Sequence, residues 1–253
     1  MIAKTENEIK NLRTGGKLLA QVLRELSNMV RVGLTTAELD LAAEKMIRGG
    51  GGVPAFLNYQ PEGAAYPYPA TLCVSLNEEV VHGIPKEETV LQNGDMVSLD
   101  LGLSYNGYFV DSAVTVCVGE CDAAAKKLIE ATKEATMAGI KAARVGGHVG
   151  DIGAAVERVA QKYNFAIVED LGGHALGKAV HEKPFIPNEG KEGDGPKLLE
   201  GLVIAIEPML AEGKGGITLM EDEWTYRMRD HKRCAHVEHT VLLTKNGPEI
   251  LTA

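Results

Sequence analysis

The chain has 253 residues, 45% of them hydrophobic and 24% charged, with a formal net charge of −9. A chain of this length buries roughly 70–75% of its unfolded surface, so it needs neither disulfides nor a structural metal to be stable, and the composition excludes a disordered or collagen-like chain. The acidic balance excludes a general nucleic-acid or anionic-membrane binder, because phosphates call for a basic face. No apolar run reaches the length of a bilayer span. The acidic start, Met1 to Glu8, lacks the apolar stretch of a secretory signal. Four cysteines, Cys73, Cys117, Cys121 and Cys234, are too few for a disulfide scaffold and suit a reducing cytosol.

Helical periodicity runs from Glu8 to about Arg31, with Gly15-Gly16 as a weak point. Thr35 with Glu38 forms a capping-box pattern that opens a second helix, about Thr36 to Ile47. Gly49 to Gly52 read as a turn, because Pro54 rather than a helix follows them. Strands are expected at Thr71–Leu76, Met96–Leu103 and Tyr108–Val118, the last two joined by an Asn106-Gly107 hairpin. Helices return at Ala123–Ala143 and about Asp151–Tyr163. Strands follow at Ala166–Glu169, Leu202–Ile206 and His236–Thr244.

An internal repeat organises these elements. Val32-Gly33, Glu38-Leu39, Ala42 and Glu44 match Val145-Gly146, Asp151-Ile152, Ala155 and Glu157 at one offset of 113. Val81-His82-x-x-Pro85 matches Val180-His181-x-x-Pro184, Gly94…Asp100 matches Gly201…Glu207, and Asp111 matches Glu238. Two copies of a helix–helix–hairpin unit, about 1–120 and 121–253, are expected to pack about a pseudo-two-fold axis as one α+β domain over 1–253. A solenoid would need more copies to bury its faces.

Asp100 and Asp111 each interrupt an apolar strand run. A two-residue hairpin sets Asp100 opposite Ala113 with Asp111 its diagonal neighbour; a four-residue loop would set the two acids face to face. Both geometries put them on one face of the sheet. Buried carboxylates this close repel and lose hydration, and a cation removes both costs. Glu207 and Glu238 occupy the equivalent places in the second half, and His174, between glycines, is the natural fifth donor. Two Asp, two Glu and one His exceed the needs of one small cation and suit two, of the kind Mn, Fe(II), Co or Zn supply in dinuclear hydrolases.

The motifs Asn77-Glu78-x-x-x-His82-Gly83-Ile84-Pro85, Asp100…Asp111, Gly173-His174-x-x-Gly177, Ile206-Glu207-Pro208-Met209 and Glu238-His239-Thr240 together resemble the type I methionine aminopeptidase family, and the likeness runs from the first helix to Thr252. The resemblance implies a pita-bread fold and a dinuclear site of Asp100, Asp111, His174, Glu207 and Glu238, with Asp111 and Glu238 bridging. It implies that His82 and His181 contact the peptide and stabilise the tetrahedral intermediate, and that Glu207 also shuttles a proton to the leaving amine. The methionine pocket maps onto Phe56, Tyr59, Tyr68, Cys73 and Trp224, where aromatic walls and a soft sulfur suit a thioether. The implied substrates are nascent polypeptide N-termini with Met before a small residue. The implied setting is cytoplasmic, with the ribosome as a transient partner, no DNA or membrane partner, and a monomeric enzyme.

The chain departs from the family pattern in four places. Ala175 stands for a second glycine and is expected to tighten the cleft; Val180 stands for Phe and enlarges a pocket wall; Gln60–Pro67 lengthens a rim loop; and His236 stands for Gln. Two residues before Glu238 on one strand, His236 is expected to line the cleft and add a pH dependence. Cys117-x-x-x-Cys121 lacks a second pair and does not read as a zinc site. The acidic stretch Asn188–Gly195 reads as a solvated turn. The rival readings are an Xaa-Pro aminopeptidase or prolidase, which usually carries a large extra N-terminal domain, and a non-catalytic pita-bread module, which would lose ligands.

Overall fold

The computed structural model describes all residues, Met1–Ala253. In chain order, α1 (Glu6–Met29) and α2 (Thr36–Gly49) precede β1 (Val53–Pro54), β2 (Leu72–Leu76), β3 (Glu79–Val81), β4 (Met96–Tyr105) and β5 (Tyr108–Cys117). The second half has α3 (Ala123–Ala142), α4 (Val149–Tyr163), β6 (Ala166–Ile167), β7 (Gly172–Ala175), β8 (Glu182–Pro187), β9 (Val203–Ile206), β10 (Met209–Ala211), β11 (Ile217–Leu219), β12 (Tyr226–Met228), β13 (Cys234–His236), β14 (Glu238–Thr244) and β15 (Gly247–Ile250). Helix α1 starts two residues earlier than its apolar period indicates, because Thr5 caps it. The Thr5 hydroxyl accepts the Glu8 N–H and the Glu8 carboxylate accepts the Thr5 N–H. The expected capping box at Thr35 and Glu38 forms in the same way.

Gly15-Gly16 is not a weak point: α1 runs through it. A Cβ on Gly16 would sit 2.2 Å from the Leu251 carbonyl oxygen, and one on Gly15 would sit 3.1 Å from Tyr105 Cβ. The glycines let the helix lie directly on the sheet and on the chain after β15.

The repeat is present in the backbone hydrogen bonds. The Gly33 N–H donates to Leu91 O and the Gly146 N–H to Leu198 O, both at 2.9 Å. The Gly94 N–H donates to Val118 O and the Gly201 N–H to Leu243 O, both at 2.8 Å. All four glycines have positive φ, between 79° and 94°, which explains why glycine recurs at these spacings.

Strands of both halves join in one nine-stranded sheet whose spine runs β1-β4-β5-β14-β9-β7-β8. Asn106 and Gly107, both at positive φ, close a two-residue hairpin, so Asp100 pairs with Ala113 and Gly102 with Asp111. The halves meet where Glu238 pairs with Ala113 and His239 with Ser112. Leu99, Leu101 and Leu103 point away from the aspartate face into the core beneath α1 and α2.

The expected strand at His236–Thr244 divides. Cys234–His236 pairs with β10, whereas Glu238–Thr244 joins the large sheet. Pairing resumes in the same register on each side of the gap, Ile206 with His239 and Met209 with His236, which sets Glu207 opposite Glu238. Pro208 has no N–H, so the ladder cannot close there. Short strands β1, β3, β10, β11 and β12 carry too little alternation to be read from sequence.

Cys117 and Cys121 form a disulfide, with Cα atoms 5.8 Å apart, where the cysteine count was read as suiting a reducing cytosol. Gly119, at φ 62°, folds the chain back after β5 and brings them together. The Asn188–Gly195 stretch is not merely solvated: its backbone lies on α4, where a Cβ on Gly153 would meet the Glu189 carbonyl oxygen at 2.4 Å.

Replacing Gly16 by Ala is expected to destabilise the fold by about 1–3 kcal/mol through overpacking. At Gly49, where a Cβ would meet nothing within 4 Å, the same change is expected to be nearly neutral. Thermal unfolding of both variants checks this, and equal midpoints would contradict the docking role of Gly16.

Candidate metal centre

Alternation along the strands and the shared register bring five donor residues to one face of the sheet. Asp100 lies on β4, Asp111 on β5, Glu238 opens β14, Glu207 follows β9 and His174 lies on β7. All five line one cavity of about 510 Å³. One ligand atom each from Asp111, His174 and Glu238 lies within 4.8 Å of the others. Glu207 Oε1 is 3.5 Å from His174 Nε2. Hydroxyls brace the seam behind them. Thr240 Oγ1 accepts the Asp111 N–H at 2.8 Å and donates to its carbonyl, and Ser112 Oγ donates to Glu238 O at 2.7 Å.

The electrostatics are those of a site that wants positive charge. Burial pushes the Asp111 and Glu207 carboxyls up to about 8, with the Glu207 charge adding to the effect on Asp111. Asp100 and Glu238 are held well above the usual carboxylate range by burial and by neighbouring carboxylates. Glu238 Oε1 is buried with no hydrogen-bond partner. His174 Nδ1 lies 3.1 Å from Ala175 O, and a carbonyl can only accept, so Nδ1 carries the proton. That leaves the Nε2 lone pair free toward the acids, and burial keeps the ring neutral, with a pKa near 3. Oxygen donors around one bare imidazole nitrogen fit a pair of divalent cations of the Mn, Fe(II), Co or Zn type.

The remaining expected residues surround this centre. His82 and His181 line the cavity, and burial lowers the pKa of both. His82 is held at φ 60°, a strained conformation for a residue with a side chain. His181 Nδ1 lies 2.8 Å from the Tyr59 hydroxyl, and its ring packs edge-on to His174 at 4.4 Å. Phe56, Tyr59, Tyr68, Cys73 and Trp224 form an apolar end of the cavity. The Tyr68 ring meets Trp224 edge-on at 5.2 Å, and its hydroxyl donates to Gly83 O at 2.9 Å.

Two expectations change and one gains detail. Ala175 does not tighten the cleft, because alternation turns its methyl away from His174 into the core with Ile204 and Ile206. His236 does not line the cleft: it is 2% exposed and sits behind Glu207 and Glu238. Burial pushes its ring to about 3, so it stays neutral and brings no titration of its own at working pH. The long rim loop is pinned by backbone bonds from Asn58 to Tyr68 and from Tyr68 to Tyr59, and it sets Tyr66 edge-on to Trp224.

Sequence reasoning missed Pro61, Leu171, Glu182, Lys183, Phe185 and Met209 on the cavity wall. It also missed the Tyr59–His181 bond. Glu182, Lys183, Pro61 and Met209 each lie within two residues of a named site residue and were local signals; Leu171 comes from just before β7 and Phe185 from β8.

The profile of Metallopeptidase family M24 matches residues 10–245. A methionine aminopeptidase of Aquifex aeolicus is 44% identical over 98% of this chain and 97% of its own length. Methionine aminopeptidase 1 of Bacillus subtilis is 38% identical over 100% and 99%. The crystal structure of methionine aminopeptidase from Rickettsia prowazekii aligns at a TM-score of 0.95 and 36% identity, covering 100% of both chains. This chain belongs to the methionine aminopeptidases of metallopeptidase family M24. Prolidase from Pyrococcus furiosus shares the pita-bread fold, at a TM-score of 0.76 and 22% identity over 65% of that chain. Likeness to the methionine aminopeptidases is thus much the greater, and the Xaa-Pro and non-catalytic readings are not favoured.

Raised acid pKa values mean that the folded, metal-free protein holds protons the unfolded chain has released. Below about pH 6.5 the buried neutral histidines, which the unfolded chain would protonate, offset this, so stability is expected to fall as pH rises from about 6.5 through about 8. Saturation with Mn(II) or Co(II) at pH 6–7 is expected to release protons and flatten that slope. Calorimetry in two buffers of different ionisation enthalpy counts the protons, and a count of zero would contradict the shared burial of the acids.

Proposed function

We propose that this protein removes the N-terminal methionine of nascent proteins and peptides by hydrolysis, preferring a small second residue. The carrying observation is the meeting of an oxygen-rich donor set and an aromatic pocket in one cavity, with His82 and His181 on the wall they share. Asp100, Asp111, His174, Glu207 and Glu238 would hold two divalent cations, with Asp111 and Glu238 shared. When bound, the cations supply the positive charge that activates a water and polarises the scissile carbonyl. Phe56, Tyr59, Tyr68, Cys73 and Trp224 take the methionine side chain, where a thioether meets ring edges and a thiol.

A Tyr59 hydroxyl donating to His181 Nδ1 would leave the ring proton on Nε2, as an N–H for the developing oxyanion. His82, fixed by its backbone and by the Trp224 and Tyr226 rings, contacts the peptide. Glu207, whose carboxyl titrates near neutrality before charge is added, can accept a proton and pass it to the leaving amine. Residues 1–253 act as one catalytic unit of two halves, about 1–120 and 121–253, working as a monomer. The setting inferred is the cytoplasm, with transient ribosome contact, where nascent N-termini emerge. The Cys117–Cys121 disulfide is the one feature that runs against a reducing compartment, while no helix is long and apolar enough to cross a membrane.

Mass spectrometry of Met-Ala-Ser and Ala-Pro-Ser, with chelated and metal-restored protein, tests the reading. Metal-dependent loss of Met from the first peptide alone is expected, and cleavage of only the second would move the activity to the Xaa-Pro class. His181→Ala is expected to lower kcat by about 10²–10³ with little change in KM, the effect of removing one oxyanion donor.

A further inference from the structure

His236 is a buried side chain without a function in the reading above. Both of its ring nitrogens are inaccessible and neither has a hydrogen-bond partner. Its backbone is fixed from both sides by one hydroxyl: the His236 N–H donates to Thr115 Oγ1 at 2.9 Å, and Thr115 Oγ1 donates to His236 O at 2.7 Å. Nε2 lies 3.5 Å from Glu207 Oε2 and 3.9 Å from Glu238 Oε2. These are slightly too long for hydrogen bonds, and a shift of a few tenths of an ångström would close the nearer one.

The geometry around Glu207 gives His236 a direction. The carboxylate stands between two imidazoles, with Oε1 facing His174 Nε2 and Oε2 facing His236 Nε2. An imidazole buried with both nitrogens idle carries a desolvation cost that some contact must offset. Of its two nitrogens, Nε2 has the Glu207 and Glu238 oxygens within 4 Å.

We infer that His236 is a positioning residue for the metal centre: its Nε2–H closes on Glu207 Oε2, with Glu238 Oε2 beside it, and holds the two carboxylates in the orientation that ligates the cations. It does not itself bind metal. This deepens the proposed function and rests on Glu207 and Glu238 being ligands. A neutral imidazole at this place offers one N–H in a fixed plane, a stiffer hold than a flexible amide.

Calorimetric titration with Mn(II) and Co(II) of wild type, His236→Gln and His236→Leu tests this without reference to activity. The Gln variant, which keeps a donor, is expected to bind within about threefold of wild type. Loss of the donor in the Leu variant should weaken binding about 10–100-fold, the usual effect of removing a carboxylate's outer partner. Should the Leu variant not fold, His236→Asn, whose amide falls short of Oε2, is expected to show the same loss. Equal affinity in the donor-less variant would overturn the inference. Proton NMR of the Co(II) protein checks the mode: one strongly shifted exchangeable imidazole resonance, from His174, is expected. A second, lost in His236→Gln, would make His236 a ligand and overturn positioning. Failure of the underlying reading looks different, since wild type would then bind neither ion and Asp111→Asn would change nothing.

Discussion

Four carboxylates on one face of one sheet, three buried and Glu207 nearly so, are the constraint around which the rest of this structure is arranged. Each loses hydration and most feel the charge of another, so the face is stable only with protons or cations between them. The strands show the cost. Pairing between β9–β10 and β13–β14 is interrupted at Glu207-Pro208 and Val237, yet resumes in register beyond the gap. What holds the region is a set of hydroxyls: Thr240, Ser112 and Thr115 tie the first half's hairpin strand to the second half's, each to a backbone group beside a site residue.

The cavity divides its chemistry by polarity. At one end, charge gathers around a bare imidazole nitrogen; at the other, Tyr68 and Trp224 pack edge-on against a buried thiol. His181 joins the two, with its ring against His174 and its Nδ1 on the Tyr59 hydroxyl, so a residue of the apolar end orients an imidazole at the charged end. The long rim loop adds a second aromatic edge on Trp224. It closes through backbone bonds at its base and is tied again where the Tyr66 hydroxyl donates to Asp222 O, so the loop is part of the pocket wall.

Much of this was legible because it depends on local rules. Glycines at 33, 146, 94 and 201 sit at turns that demand positive φ, so the two halves keep the same spacing and the repeat survives as a pattern. Asn106-Gly107 fixes a two-residue turn, and the Asp100–Ala113 pairing follows from that alone. What stayed hidden depends on partners distant in sequence. Nothing near Tyr59 announces a bond to a residue 122 positions on. Alternation placed His236 on the face of Glu238, but not its depth behind Glu207, which is set by the break at Val237. Gly16 read as a helix defect until the Leu251 carbonyl showed what it accommodates.

The repeat also shows where the two halves stop being equivalent. The spacing that maps His82 onto His181 maps Ser75 onto His174, and the backbones agree: Asn77 N–H donates to Met96 O as Leu176 N–H donates to Val203 O. The Ser75 hydroxyl is taken up by the Gly83 N–H, so one half brings two aspartates to the cleft and the other an imidazole and two glutamates, each carboxylate arm one methylene longer. A peptide runs from amine to carboxylate, and a cleft with true two-fold symmetry would receive it equally well in either direction. Unequal arms on an equal frame, with the aromatic pocket at one end only, give the cavity a polarity that the repeated backbone lacks.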